Sequence, residues 1–264
     1  MTKYRISKTR FVDQTKTVSF TFDGKLYHGY EGDTLASALL SNGIHLVGRS
    51  FKYHRPRGIM SCGSEEPNAI CQINDNTDLT EPNVRATEIE LYEGLKASSQ
   101  NCWPSLNFDI GGINNFISPF IPAGFYYKTF MWPKSFWKKI YEPLIRMSAG
   151  LGKSPTVPDP DIYDHKHEHC DVLVIGGGIS GIISAKIAAK NNLKTILIDD
   201  KNVLGGSTIY QNNKNFLIDN KRSNEWLLNE ISELEKIENL TIKTRTSLAA
   251  YHSYNYLLAK ENIS

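Results

Sequence analysis

Hydrophobic and polar positions first fall into a period of two. Thr17–Phe22 alternates in a β-rich run, Asp23-Gly24 supplies a two-residue turn, and Lys25–Tyr30 returns as a second strand. The pattern then becomes helical: Asp33 or Thr34 can cap the stretch LASALLSNG, which Gly43 stops. Beyond a basic loop, Ala69–Asn74 and Val84–Leu91 read as two more strands.

A different pattern begins at Asp171. Asp171–Ile175 is aliphatic almost throughout, as a strand covered on both faces must be, and it runs directly into Gly176, Gly178 and Gly181 at the start of a helix. A second aliphatic strand, Thr195–Ile198, delivers Asp199 to its carboxyl end. Asn224–Lys236 then places Trp226, Leu227, Ile231, Leu234 and Ile237 on one helical face, and Thr241–Thr246 reads as a third strand.

These patterns predict a mixed α/β and α+β protein. Residues 1–94 should form an N-terminal β-grasp domain, the architecture of plant-type ferredoxins, and residues 170–264 a Rossmann-type dinucleotide-binding domain. That fold needs further strands, so the second domain is expected to continue past Ser264. Between them, residues 95–169 hold Trp103, Trp132 and Trp137 with many Phe and Tyr, interrupted by Pro104, Pro119, Pro122, Pro133, Pro143, Pro155, Pro158 and Pro160. Such a stretch cannot be one regular element and is too apolar for a flexible linker. It is expected to lie packed over a neighbouring domain or a partner subunit.

The glycines carry the clearest chemistry. Gly176 permits a tight turn, Gly178 leaves room for a pyrophosphate to approach the backbone, and Gly181 lets the helix pack against the strand. The pyrophosphate would rest on free N–H groups at the positive end of the helix dipole. Asp199, about 20 residues on, can accept hydrogen bonds from both hydroxyls of an adenosine ribose and repels a 2′-phosphate. NAD or FAD is therefore favoured over NADP, although Lys201 leaves NADP open. The candidate cofactor-binding residues are Gly176, Gly177, Gly178, Ile179, Ser180 and Gly181 in the turn, Asp199, Asp200 and Lys201 after the second strand, and Gly205, Gly206 and Ser207. A Gly-Gly pair in that last position is typical of flavin-dependent and related two-dinucleotide-domain oxidoreductases.

Composition adds mainly exclusions. With 40% hydrophobic and 22% charged residues in 264, the chain can build two cores, and a net charge of +2 gives no general attraction to nucleic acid. The N-terminus lacks the apolar core of a secretory signal. The most apolar stretch, Phe116–Trp137, is broken by prolines and by Lys128 and Lys134, so no membrane span is expected and a cytoplasmic location follows by default. Cys62, Cys71, Cys102 and Cys170 are widely spaced, with no C-x-x-C pair, which argues against zinc and against a disulfide framework. A plant-type iron–sulfur cluster needs C-x₄-C-x₂-C and a distant fourth thiolate, and the corresponding loop and following strand offer Cys62 and Cys71 alone. A ferredoxin-like fold without a cluster is expected.

Three smaller constellations have two readings each. Arg49, Lys52, His54, Arg55 and Arg57 in GRSFKYHRPRG could bind a phosphate or an acidic partner, or form a solvated loop facing a partner. His165, His167 and His169 could suggest a metal, but a polar lead-in to a buried strand explains them more simply. Glu65-Glu66 could be an acid/base pair, yet adjacent loop carboxylates usually point apart and no nucleophile is near. No catalytic residue and no metal site is assigned.

Three strings carry a family resemblance: EGDTLASALLSNGIHLVGRSFKYHRPRGI…EEPNA, AGFYYKTFMWP…YEPLIRMSAGLGKSPTVPDPDIYDHKHEHCDVLVIGGG, and ILIDDKNVLGGS. The chain resembles the N-terminal part of the alpha subunit of heterotetrameric sarcosine oxidases. The resemblance implies an NAD site at Gly176, Gly178, Gly181, Asp199 and the Gly205-Gly206 turn, and FMN held between this subunit and a beta subunit. It further implies a tetrahydrofolate-binding domain outside these 264 residues and smaller subunits completing the assembly. Sarcosine would be oxidatively demethylated to glycine in the beta subunit, with hydrogen peroxide formed and the one-carbon unit passed to tetrahydrofolate. Related complexes that oxidise N-methylglutamate or glycine use similar subunits, and a non-catalytic NAD-binding assembly module is the reading from another class.

Overall fold

Strand β1 (Asp13–Phe22) pairs antiparallel with β2 (Lys25–Glu31) through the turn at Asp23-Gly24, where Asp23 and Gly24 both take positive φ. Helix α1 (Leu35–Ser41) follows. Thr34 is its N-cap, in a reciprocal box with Ser37, while Asp33 accepts hydrogen bonds from the Tyr30 N–H, the Ser37 hydroxyl and the Arg5 guanidinium. A two-residue pair, β3 (Gly48–Arg49) with β4 (Pro56–Arg57), closes the basic loop. The sheet resumes with β5 (Ile70–Ile73), β6 (Glu81–Arg85) and β7 (Leu95–Ser99).

This computed structural model describes residues 4–5, 11–74, 78–120, 124, 128, 130–211 and 215–262, and it divides into two units, Met1–Asp161 and Ile162–Ser264. In the first unit the strands run in the order β2-β1-β7-β5-β6, with β1 and β7 parallel and every other pair antiparallel. Phe22, Ala97 and Ile73 lie side by side across three strands, and Phe20 faces Leu95. Leu35, Ala38 and Leu39 of α1 complete the same core.

The expected boundary at residue 94 is corrected here, because Leu95–Ser99 is the middle strand of the sheet. Leu95 and Ala97 point into the core while Lys96 is exposed, a true period of two hidden by small and polar residues. The expected strand Val84–Leu91 also ends early: the Glu88 N–H closes a turn on the Arg85 carbonyl, and the Thr87 hydroxyl reaches back to the Gly63 carbonyl. From residue 101 to 161 the described residues of the first unit include short 3-10 turns, the π-helical turn Trp137–Tyr141 and the helix α2 (Glu142–Ser148). Leu106 reaches the core, whereas Trp103, Phe116, Phe120 and Trp132 are exposed on this chain. Pro122 and the aromatic run at 125–127 lie outside the described residues.

The second unit builds β8 (Val172–Ile175), α3 (Ile179–Lys190), β9 (Thr195–Ile198), the short pair β10 (Leu217–Ile218) and β11 (Lys221–Arg222), α4 (Ser223–Leu234) and β12 (Leu240–Lys243). Its sheet is parallel, in the order β12-β9-β8. Trp226, Leu227 and Leu234 of α4 are buried against Ile182 and Ala185 of α3 and Leu197 of β9. Lys186 of α3 donates to Glu230 at 2.6 Å and pairs with Glu233 at 2.7 Å, both on α4. The expected third strand, Thr241–Thr246, is split: Arg245 takes positive φ, and the chain turns into a hairpin of β13 (Thr246–His252) and β14 (Tyr256–Glu261) that the sequence reading did not anticipate.

Replacing fully buried Leu39 by alanine should lower the stability of the first unit by about 2–5 kcal/mol in denaturant unfolding, while Leu40→Ala on the outer face of α1 should cost well under half of that.

Candidate functional site

The second unit brings two glycine turns together. Gly176 has a φ of 97° and donates its N–H to the Ile198 carbonyl, so the chain leaves β8 sharply at the level where β9 ends. A methyl group on Gly181 would stand 1.8 Å from the Gly176 carbonyl oxygen, which is why the helix can begin this close to the strand. The Gly205 N–H donates to the Gly177 carbonyl at 2.7 Å, and Gly206 (φ 52°) packs so that its added Cβ would lie 3.1 Å from the Gly178 Cα. The pair Gly205-Gly206 therefore backs the first turn, at an approach that side chains would block.

Asp199 ties the arrangement at the carboxyl end of β9. Its Oδ2 accepts from the Gly177 N–H and its Oδ1 accepts from the Lys201 N–H at 2.9 Å, and the side chain is nearly buried. Each oxygen keeps a further lone pair. Asp200 is exposed and lies 3.8 Å from the Lys201 ammonium, so the charge of Lys201 is partly answered within the chain. Ser207 is exposed at the start of the 3-10 turn Gly206–Tyr210.

The remaining space lies over the first turn of α3. Gly178 is the N-cap residue, in extended conformation, and a Cβ built there meets nothing within 4 Å. Helix geometry leaves the N–H groups of Ile179, Ser180 and Gly181 without helical acceptors, with the positive end of the dipole behind them. One residue the sequence reading missed belongs to this set. Thr208, whose N–H donates to the Gly205 carbonyl, has a buried hydroxyl with no hydrogen-bond partner among the described residues. A hydroxyl two residues beyond a Gly-Gly pair was the only signal for it.

The basic loop of the first unit is spoken for largely from within. Arg49 donates to the Leu106 carbonyl through Nε and Nη2 and to the His54 carbonyl through Nη1, so it is a structural cation and does not meet the ligand-binding reading. His54, at a φ of 52°, holds Asp109 through Nδ1 at 2.7 Å, and Gly111 lies so close that any Cβ would collide with the imidazole. Arg55 donates to the Asn115 side chain and stacks over Tyr53. Together these contacts clamp residues 49–57 onto residues 101–115.

The two adjacent glutamates do point apart. Glu65 is exposed, whereas Glu66 is buried and accepts four backbone N–H groups. His165, His167 and His169 lie on an exposed extended segment. Among the described residues no three His, Cys, Asp or Glu side chains gather as a metal site would require. Cys71 sits wholly inside the core of the first unit, where burial, with the Asp23 charge adding to it, pushes its thiol up to about 12. Burial also raises Cys102 and Cys170. Thiols so disposed are protonated at neutral pH and are poor nucleophiles and ligands. No helix among the described residues is long and apolar enough to cross a membrane.

Comparison with known proteins places these features. Residues 15–102 match a family described as a 2Fe-2S iron-sulfur cluster binding domain, and residues 171–246 match a FAD dependent oxidoreductase family. The whole chain aligns with the sarcosine oxidase subunit alpha of Rhizobium meliloti (strain 1021), 48% identical over 263 residues, covering 26% of that relative. The sarcosine oxidase subunit alpha of Corynebacterium sp. (strain U-96) is 27% identical over 252 residues, covering 95% of this chain and 21% of the relative. Among solved structures, the L-proline dehydrogenase from P. horikoshii superposes over 98% of this chain and 39% of its own, with a TM-score of 0.52 at 21% identity, a likeness of fold. Over its whole length the chain is thus similar to sarcosine oxidase alpha subunits, of which it spans about a quarter.

Proposed function

We propose that the second unit is a Rossmann-type site for NAD, within the alpha subunit of a heterotetrameric amine oxidase of the sarcosine oxidase type. The observation that carries the reading is the open space at Gly178, beside first-turn N–H groups that have no helical acceptor and backed by the Gly205-Gly206 turn. In this site the N–H groups of Gly178, Ile179, Ser180 and Gly181 receive the pyrophosphate. The free lone pairs of Asp199 accept the ribose hydroxyls, and the Thr208 hydroxyl is available to the same ligand. Asp199 excludes a 2′-phosphate by charge. Asp200 beside Lys201 weakens a nearby cation that could counter it. Bound there, a dinucleotide supplies a hydride-accepting ring and the protein supplies its position.

For the whole protein the reading is oxidative demethylation of sarcosine to glycine, with hydrogen peroxide formed and tetrahydrofolate taking the one-carbon unit. The similarity to two sarcosine oxidase alpha subunits supports it. Amine oxidation is assigned to a beta subunit, FMN to the boundary between the two subunits, and folate to a domain outside these 264 residues. The exposed Trp103, Phe116, Phe120 and Trp132 suit a surface that a partner subunit covers. A subunit of an N-methylglutamate- or glycine-oxidising complex shares the same architecture, and the amine is chosen outside this chain. A non-catalytic assembly module is the remaining reading. It is set apart by experiment: the full-length protein should co-purify with a partner subunit and yellow flavin and release peroxide from sarcosine, and a colourless monomer would contradict the assignment.

Calorimetric titration of the full-length protein should give NAD binding that Asp199→Ala weakens by at least about 1–3 kcal/mol, through lost ribose hydrogen bonds together with loss of the acceptor that holds the Gly177 N–H. NADP should bind at least roughly tenfold more weakly than NAD. An Asp199→Ala affinity equal to wild type would place the dinucleotide elsewhere.

The two glycines should separate folding from binding. Gly181→Ala forces its methyl into the Gly176 carbonyl, so it should lower the thermal midpoint and binding together. Gly178→Ala, with open space and ordinary φ, should keep the midpoint within a degree or two while abolishing measurable NAD binding.

A further inference from the structure

Residues 59–69 connect the β3–β4 hairpin to β5 and hold Cys62, the first cysteine of the chain. This stretch falls inside the match to the 2Fe-2S family, yet its donors do not suit a cluster. A [2Fe–2S] centre of that kind needs four thiolates. Within the matched residues the chain has Cys62, Cys71 and Cys102; Cys71 is sealed in the core beneath the sheet and Cys62 is exposed.

In the centre of the same loop lies Glu66, 1% exposed. Its Oε2 accepts from the N–H groups of Met60 at 2.7 Å and Ser61 at 2.6 Å, and its Oε1 from those of Asn68 at 2.8 Å and Ala69 at 3.1 Å. The four donors come from both ends of the loop, so one side chain draws the two arms together. The Glu66 main chain is fixed as well: its N–H donates to the Gly63 carbonyl and its carbonyl accepts from Arg85 Nε. Burial alone would raise this carboxyl, but the hydrogen bonds outweigh it and hold the group below the usual glutamate range.

We propose that the Glu66 carboxylate is the anion around which this loop is built, in the place where cluster-bearing relatives of the fold hold an iron–sulfur centre, and that the first unit is consequently a redox-inert ferredoxin-type module. A cluster and its thiolates form an anion that backbone N–H groups surround and stabilise; here a carboxylate collects those donors and uses both oxygens to do so. With no redox centre in the first unit, electrons leaving the amine reach their acceptor without passing through it. This inference rests on the geometry of loop 59–69 and stands independently of the dinucleotide site.

The test uses the full-length protein as wild type, Glu66→Gln and, as a control in the same unit, exposed Glu81→Gln. After anaerobic treatment with ferrous iron and sulfide, dithionite-reduced wild type should show no [2Fe–2S] paramagnetic signal; a signal amounting to one cluster per chain would overturn the proposal. At pH 7, Glu66→Gln should lower the thermal midpoint of the first unit by roughly 5 °C or more, since an amide presents N–H groups to N–H groups, and Glu81→Gln should leave it in place. Equal midpoints for wild type and Glu66→Gln would overturn it.

The pH dependence follows from the sign of the shift. Glu66 is held below its ordinary value of 4.5 in the folded state, so its stabilisation is complete above that pH and disappears as pH falls through the folded value. The gap between wild type and Glu66→Gln should therefore narrow in acid. Should Glu66→Gln fail to fold, amide exchange in the wild type decides: Met60, Ser61, Asn68 and Ala69 should be protected at pH 7 and lose protection in acid. Free exchange of all four at pH 7 would overturn the proposal.

Discussion

The second unit depends on the hydrogen bond from the Gly177 N–H to the Asp199 carboxylate. Through it the end of β9 holds the glycine turn that leaves β8, and the same carboxylate fixes the Lys201 N–H at the start of the next loop. That loop then returns Gly205 to the Gly177 carbonyl and sets Gly206 against Gly178. The glycine turn after β8, the end of β9 and the Gly205-Gly206 turn are thereby held together beside the first turn of α3.

The chain uses one physical device twice. Glu66 and Asp199 are both buried carboxylates whose acceptors are taken up by backbone N–H groups, and both organise a loop next to the end of a strand. They differ in what remains. Glu66 spends its acceptors on four donors inside the protein, whereas Asp199 satisfies two and retains capacity for a ligand. The same chemistry therefore leaves a fully occupied carboxylate in one unit and, in the other, a carboxylate with acceptor capacity to spare, which the proposed site assigns to a ligand. Arg49 is the cationic counterpart, a half-buried charge answered by backbone carbonyl oxygens.

Most of the second unit was legible in the sequence because its signals are local and strong. An aliphatic run, a glycine turn, a helix and a second aliphatic run ending in acid leave few alternatives, and the apolar face of α4 was read residue by residue. What escaped was non-local. Strand β7 is built of Leu, Lys, Ala and Ser, a composition that reads as loop until β1 and β5 flank it. Arg49 and His54 looked like free cations because their partners, Leu106 and Asp109, are more than fifty residues away. Glu66 was set aside as a loop carboxylate for the same reason: backbone donors have no sequence signature. Thr208 became visible only once the two glycine turns were seen to meet.

The most direct test of the account is a structure of the full-length protein determined with NAD bound. The pyrophosphate is expected over the N–H groups of Gly178–Gly181 and the adenosine ribose hydroxyls on Asp199. A dinucleotide bound elsewhere, or a site left vacant at saturating NAD, would contradict it.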